Sequence, residues 1–391
     1  MLKQAKKLKK ELVDWRRKLH QIPETGFGLK QTTALVRRTL VSQGYTVRSC
    51  GNSGLVATIG KGEPRLLLRA DMDGLPIQEQ TGLGYASKNG NMHACGHDFH
   101  TAMLLGAAKL LKERESELTS QVTLAFQPAE ELLEGAKSML SAGLLRERHE
   151  AALMLHITTG VDLPTGSVVI SNAKQLAPSA DYFEIRVQGK GCHGAMPSEG
   201  IDALTAAARI VLGLQEIPSR ETGLSERALI TVGKLSAGNA PNALADSAVI
   251  FGTMRCYGEP LRQRIQARMR EIAEGIAKSF RATAQVEFTH GCPAFENDTN
   301  LAESIYNRAV TLFGKEKVIL TGEGGGGSED FAYISRLLPT TMAVVCAGEK
   351  KKGYEYPLHH PKARFDEGAL CVGAALFADA ALNSLAFFRE K

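Results

Sequence analysis

The sequence predicts an α/β protein: a mostly parallel sheet with flanking helices, plus an inserted ferredoxin-like α+β domain. Three observations carry this. Short apolar runs alternate with helical patterns between residues 55 and 157. From about residue 180 to residue 292 that alternation gives way to a β-α-β-β-α-β order. The first pattern then resumes and runs to the C-terminus. For a chain of 391 residues, at roughly 150 residues per domain, two domains are expected.

The N-terminal MLKQAKKLKKELVDWRRKLH reads as an amphipathic helix, with Leu8, Leu12, Trp15 and Leu19 near one face and lysines on the other. It is basic but lacks the apolar core of a secretion signal. LVATIG (55–60), RLLLRAD (65–71), VTLAFQ (122–127), AALMLHI (151–157) and TMAVVCAG (341–348) read as strands buried on both faces. TAMLLGAAKLLKERESEL (101–118) reads as a helix between two of them, and strands alternating with helices imply a parallel sheet. In the insertion, DYFEIRVQG, ALITVGKLSAG, SAVIFGTMRCY and AQVEFTHG are strands. IDALTAAARIVLGLQEI (201–217) and EPLRQRIQARMREIAEGIAKSFR (259–281) are helices, and the order is the split unit of ferredoxin-like domains. The expected division is 1–179, 180–292 and 293–391. The only low-complexity patch is GEGGGG (322–327).

Hydrophobic residues make up 43% and charged residues 23%, ordinary for a globular chain. No apolar run approaches the roughly 20 residues of a membrane helix, so no membrane partner is expected. A net charge of +5 without an aromatic-interleaved basic stripe argues against nucleic acid. The seven cysteines, Cys50, Cys95, Cys192, Cys256, Cys292, Cys346 and Cys371, are odd in number and never in a CxxC pair. That points to reduced thiols in a cytoplasm.

The chemistry concentrates in MHACGHDFH (92–100). Cys95 and His97 would not share a helix face, so they belong on a loop or at a helix start, with Gly96 allowing an unusual turn. Thiolate and imidazole suit zinc and its neighbours; the plain alternative is a free thiol beside surface histidines. Ligand-type partners stand at strand ends elsewhere: Asp71 and Asp73 after RLLLRA, Glu130 and Glu131 after VTLAFQ, and His156 in AALMLHI. His359 and His360 lie in a C-terminal loop. Sites in open α/β sheets gather at the carboxyl ends of strands, and this many donors fits two metal ions better than one four-coordinate structural zinc. Adjacent glutamates can divide the work, one binding metal and the other facing the water that metal activates. An ordinary acidic helix start is the alternative reading of that pair.

RADMDGLPIQE, MHACGHDFHTAMLLGAAK, FQPAEE, GKGCHGAMP, GTMR, GSEDF and LHHP, in this order, resemble the metal-dependent amidohydrolases. That family includes hippurate hydrolases, N-acyl-amino-acid aminoacylases, acetyl-diaminopimelate deacetylases and plant auxin-conjugate hydrolases. LHQIPETGF matches as well, and the resemblance spans essentially the whole chain. It implies hydrolysis of the amide bond of N-acyl amino acids with two divalent ions, Zn2+ or Mn2+. The metal ligands it implies are Cys95 as the bridge, His97, Glu131, His156 and His359. Glu130 resembles the general base and Asp73 the aspartate that orients a ligand. His193 resembles the histidine that stabilises the oxyanion. Asn242 and Arg255 resemble groups that bind the amino-acid half, and the planar fork of Arg255 suits a carboxylate. Because His193 and Arg255 fall in the inserted domain and all the implied metal ligands outside it, the inserted domain is expected to act as a mobile lid, through which a homodimer or homotetramer could form.

The sequence departs from the family's pattern in three places. His360 replaces the small residue usual after the ligand histidine. ITTGVDLP after His156 is looser than usual, and APNALADSA is a variant of the asparagine motif. GEGGGGSED lacks the Gly-Lys-Ser/Thr of a nucleotide loop, and no GxSxG elbow marks a serine hydrolase. Two other readings stay open: a dipeptidase or carboxypeptidase, and a metal- or peptide-binding homologue without catalysis. The Cys of HACGHD and the presence of Glu130 weigh against them.

Overall fold

The computed structural model describes residues 1–63 and 65–383, so residues 384–391 of the expected C-terminal segment lie outside it. The chain divides into two units. The first comprises Met1–Leu176, Glu296–Gly324 and the chain from Tyr333 onward. The second comprises Ala177–Phe295 and Gly325–Ala332.

The sheet of the first unit has eight strands among the described residues. Their spatial order is Val47–Ser49, Leu55–Ile59, Gln121–Gln127, Arg65–Asp71, Ala151–Thr158, Thr340–Cys346, Val168–Ser171 and Val318–Thr321. Four pairings are parallel and three antiparallel. The four central strands run the same way, which gathers their carboxyl ends at one edge. All five strands read from apolar runs are present. The strand at 55–59 runs antiparallel to its neighbour, a direction that composition does not encode. The outer strands Val47–Ser49 and Val318–Thr321 are only three and four residues long, too short to stand out in the sequence.

Arg65–Asp71 shows why these runs form buried strands. Leu66, Leu67 and Leu68 are all fully buried, and each such side chain contributes roughly 1.5–3 kcal/mol. Leu66, Leu68 and Ala70 join the main core with Phe126, Leu153 and Leu155, while Leu67 and Arg69 alternate to the other face. The helix His97–Glu113 lies against this strand and against the helices Lys9–His20 and Ala369–Leu382. A Cβ on Gly373 would sit 1.8 Å from Met103 Sδ, so glycine there sets how closely two of these helices approach. The helix starts four residues earlier than its apolar pattern suggests and ends at Glu113, followed by a 3₁₀ turn at Glu115–Glu117. Gly96 and Asp98 account for the early start. Gly96 takes a left-handed φ of 83° as the cap, and Asp98 lies in the first turn, where the helix dipole favours a carboxylate.

The N-terminal segment forms two helices, Leu2–Lys7 and Lys9–His20, broken at Leu8. Leu8, Leu12 and Leu19 are buried as expected, but so are Arg16 and His20. Among the described residues, no helix is long and apolar enough to cross a membrane.

The second unit has the expected β-α-β-β-α-β order. Its antiparallel sheet runs Thr283–Cys292, Ala180–Gln188, Ser247–Cys256, Ala228–Ala237. The helices Ala203–Leu214 and Glu259–Ser279 supply Ile210, Leu214, Ile265 and Met269 to a core with Phe183, Ile185, Ile250 and Met254. Asp202 caps the first of these helices by accepting from the Thr205 amide.

Candidate metal centre

Four chain segments of the first unit meet at the carboxyl ends of its central strands. Gly96 turns the HACGHD loop so that Cys95 precedes the turn and His97 opens the helix. A Cβ at Gly96 would lie 2.3 Å from Ile157 Cδ1, so the loop also packs tightly on the strand that carries His156. Ala129 and Leu133, both at positive φ, flank the Glu130–Glu131 pair. Left-handed geometry costs a non-glycine residue roughly 1–2 kcal/mol, and here it bends the chain sharply just past the strand Gln121–Gln127. His359 is a third such residue, with φ 65°, and its amide donates to Ala94 O at 2.9 Å.

The donors converge. Cys95 Sγ is 3.6 Å from His156 Nε2, and His359 Nε2 is 3.4 Å from Glu131 Oε1. His97 Nε2 is 3.9 Å from both Glu130 and Glu131. Two three-donor groups share the thiol: Cys95 with His97 and His156, and Cys95 with Glu131 and His359. Within each, the donor atoms all lie within 4.8 Å of one another. His97, Glu130 and Glu131 form a third group.

Asp73 organises the centre. Its two carboxylate oxygens accept the amides of Glu130 and Glu131 at 3.1 and 3.2 Å. One of them stands 3.3 Å from His97 Nδ1, which favours the tautomer that leaves His97 Nε2 with its lone pair. His156 Nδ1 donates to Ile157 O at 2.6 Å, which likewise leaves Nε2 as the donor atom facing Cys95.

In a fourth group of metal-binding type, Asp71 with His97 and His100, Asp71 and His100 are satisfied by hydrogen bonds. His100 Nδ1 donates to Asp71 at 2.5 Å, and its Nε2 accepts from the Ile157 amide at 2.9 Å. Arg69 donates to the other Asp71 oxygen at 2.7 Å. Burial pushes the His100 pKa down to about 3, consistent with this neutral tautomer. Asp71 is itself buried, yet His97, His100 and Arg69 hold it well below the usual carboxylate range.

The electrostatics fit a cation. Burial pushes the Cys95 thiol up and raises Glu131 to about 7, because the pocket concentrates negative groups away from water. His97 is raised although burial opposes it, because Asp71 and Cys95 face it. Glu131 Oε1 and His97 Nε2 are buried without a well-formed hydrogen bond. Leaving such atoms unsatisfied costs about 1–3 kcal/mol each, a cost that coordination would remove. A divalent ion reverses the local titration logic and keeps thiol and carboxylate deprotonated.

His359 and His360 are separated by their contacts. His360 stacks on Tyr356 with ring centroids 4.3 Å apart and accepts from the Lys362 amide. In the second unit, His193 and Asn242 are brought together: His193 bridges Ala243, and the Gly194 amide donates to Asn242 O at 2.8 Å. Arg255 lies on the strand Ser247–Cys256 and donates to Ser328 Oγ at 2.6 Å. The GSED turn thus belongs to that unit.

Sequence reasoning passed over Arg16 and His20. The signal was available, because residues 8, 12, 16 and 20 form one helical stripe in which two apolar side chains are followed by two charged ones.

The chain is similar to several known proteins. The N-acetylcysteine deacetylase of Bacillus subtilis (strain 168) is 36% identical over 376 residues, covering 95% of this chain and 96% of its own length. The IAA-amino acid hydrolase ILR1-like 2 of Arabidopsis thaliana is 38% identical over 386 residues, covering 96% and 86%. The crystal structure of the Bacillus subtilis YXEP protein, described as a dinuclear metal-binding peptidase of the M20 family, superposes with a TM-score of 0.82. It is 34% identical and covers 97% of this chain and 99% of its own. Residues 67–383 match the model of the peptidase family M20/M25/M40. The chain belongs to that family.

Proposed function

We propose that the chain is a metal-dependent amidohydrolase that cleaves the amide bond of N-acyl amino acids, releasing a carboxylic acid and a free amino acid. The observation that carries this reading is the thiol of Cys95, shared by two donor groups. A shared anionic ligand suits two neighbouring divalent ions, in line with the dinuclear relative. Cys95, His97, Glu131, His156 and His359 would hold them.

When bound, the ions supply Lewis acidity and lower the pKa of water from about 15.7 toward 7. The chain supplies the rest. Glu130, aimed by its backbone hydrogen bond to Asp73, takes the proton of the attacking water and returns it to the leaving amine. Asp73 holds His97 in one tautomer. His193 donates to the carbonyl oxygen as charge develops there. Arg255 pairs with the substrate carboxylate, and Asn242 orients the amino-acid half.

The reading extends to a cytoplasmic setting, supported by seven cysteines without a disulfide. It also extends to a homodimer or homotetramer through the second unit. The outer strand Ala228–Ala237 supports the assembly, because it exposes Leu229 at 48% and Leu235 at 40%. Light scattering of wild type and of a Leu229→Lys/Leu235→Lys variant tests it; a wild-type monomer removes it.

The activity is tested with a panel of N-acetyl, N-benzoyl and longer N-acyl amino acids beside simple dipeptides, with Zn2+ or Mn2+ added to chelated protein. N-acyl amino acids should be hydrolysed and simple dipeptides spared. Preference for the dipeptides would overturn the reading. A hippurate-type preference would appear as faster turnover of N-benzoylglycine.

A further inference from the structure

LHQIPETGF belongs to the matched pattern, yet none of its residues lies among the donors. The structure gives it a task. His20 ends the helix Lys9–His20 with both ring nitrogens facing carboxylates: Nδ1 is 2.8 Å from Asp98 Oδ2, and Nε2 is 3.2 Å from Glu79 Oε1. Arg16, one helical turn earlier, donates from Nε to the same Asp98 oxygen at 2.8 Å. Its guanidinium lies over the rings of Phe99 and Tyr85. Glu79 is fixed in turn by the Ser87 amide and the Thr81 hydroxyl. Asp98 directly follows His97, and His20, Arg16, Glu79 and Asp98 are all buried.

The same motif reaches the other loop of the centre. Glu24 O accepts from the Gly74 amide at 2.7 Å, one residue past Asp73. The Glu24 carboxylate accepts the Gln31 and Thr32 amides, which fixes Glu24 to the start of the next helix.

A buried ionic network is a poor device for stability, since well-packed apolar residues of similar volume usually do as well. What it adds is a fixed geometry. Asp98 has one arrangement that satisfies Arg16 and His20 together, and that arrangement sets the rotation of the helix start from which His97 projects. Second-sphere groups of this kind tune metal affinity by about 10- to 100-fold.

We propose that Arg16 and His20, acting through Asp98, form a positioning brace that holds His97 and Cys95 in metal-binding register. This rests on the ligand roles proposed above. Asp98, His20 and Arg16 are positioning residues and touch no substrate.

The test uses full-length protein loaded with Co2+ and titrated with a chelator, reading the loss of the Cys95 thiolate-to-cobalt absorption band. Asp98→Asn keeps the shape and removes the charge; His20→Gln removes the two-sided contact. Each should release Co2+ at about 10- to 100-fold lower chelator activity than wild type, with an altered band. Tyr45→Phe is the control for simple destabilisation. Its hydroxyl bonds Ala108 O, farther along the helix His97–Glu113, and it should lower the melting temperature and leave Co2+ retention unchanged. The brace is overturned if both variants hold Co2+ as wild type does, or if Tyr45→Phe loses it as readily at equal loss of melting temperature. If one variant does not fold, the other decides by the same two outcomes. A wild-type band that survives Cys95→Ser removes the ligand set itself and the brace with it.

Discussion

Gly96→Ala should damage the metal centre through two separable strains. The first is backbone. At φ 83° an alanine pays roughly 1–2 kcal/mol for the left-handed conformation. The second is packing. The new Cβ would lie 2.3 Å from Ile157 Cδ1 and 2.6 Å from Cγ1, and Ile157 is fully buried. Overpacking of this kind costs about 1–3 kcal/mol, so the sum is about 2–5 kcal/mol. At about 2 °C per kcal/mol for a unit of this size, the melting temperature should fall by about 4–10 °C. Because Cys95 and His97 flank the glycine, the strain should also spread the donors and cost turnover about 100-fold. A double-mutant cycle with Ile157→Ala separates the terms. In that background the clash is gone, and Gly96→Ala should cost only about 1–2 kcal/mol, leaving a coupling of about 1–3 kcal/mol. Unfolding curves of the four proteins give the cycle. Equal cost in both backgrounds, or a melting temperature unchanged by Gly96→Ala, refutes the reasoning.

Other expectations follow from the same geometry. Chelation should abolish activity and a divalent ion restore it; full turnover in protein shown metal-free by elemental analysis would sink the metal reading. Cys95→Ser should lower metal content, since a neutral hydroxyl replaces a thiolate, and wild-type content would remove Cys95 as a ligand. Glu130→Gln should keep its metal and lose about 10²–10⁴-fold in kcat, whereas Glu131→Gln should lose metal too. Equal metal content with equal loss of turnover contradicts that division. Arg255→Ala should shrink the ratio of kcat/KM for N-benzoylglycine over N-benzoylglycinamide, and an unchanged ratio removes Arg255 as the carboxylate anchor.

Much of this was legible in residue order alone. Apolar runs such as Leu66–Leu68 mark buried strands when they are short and rest between turn signals, since a buried helix is usually longer, and the βαββαβ pattern emerges from alternation and amphipathic period. Donor types were legible too, since thiol, imidazole and carboxylate side chains have few uses when they cluster after strands. Only the tertiary structure decided the rest. Cys95 and His156 are 61 residues apart and meet because the His156 strand lies beside Arg65–Asp71 in the parallel centre of the sheet, while the Gly96 turn packs the loop onto Ile157. His359 and His360 are adjacent in sequence and chemically identical; a left-handed backbone at one and stacking on Tyr356 at the other separate them. Asp73 looks like any strand-end acid until the amides of Glu130 and Glu131 arrive from another strand. Arg16 and His20 occupy core positions of a helix whose periodicity alone promises apolar residues. Their reason is Asp98, 82 and 78 residues away. Local sequence sets which groups a segment can offer, but a buried charge is tolerable only beside its partner, and partners so distant are chosen by the fold.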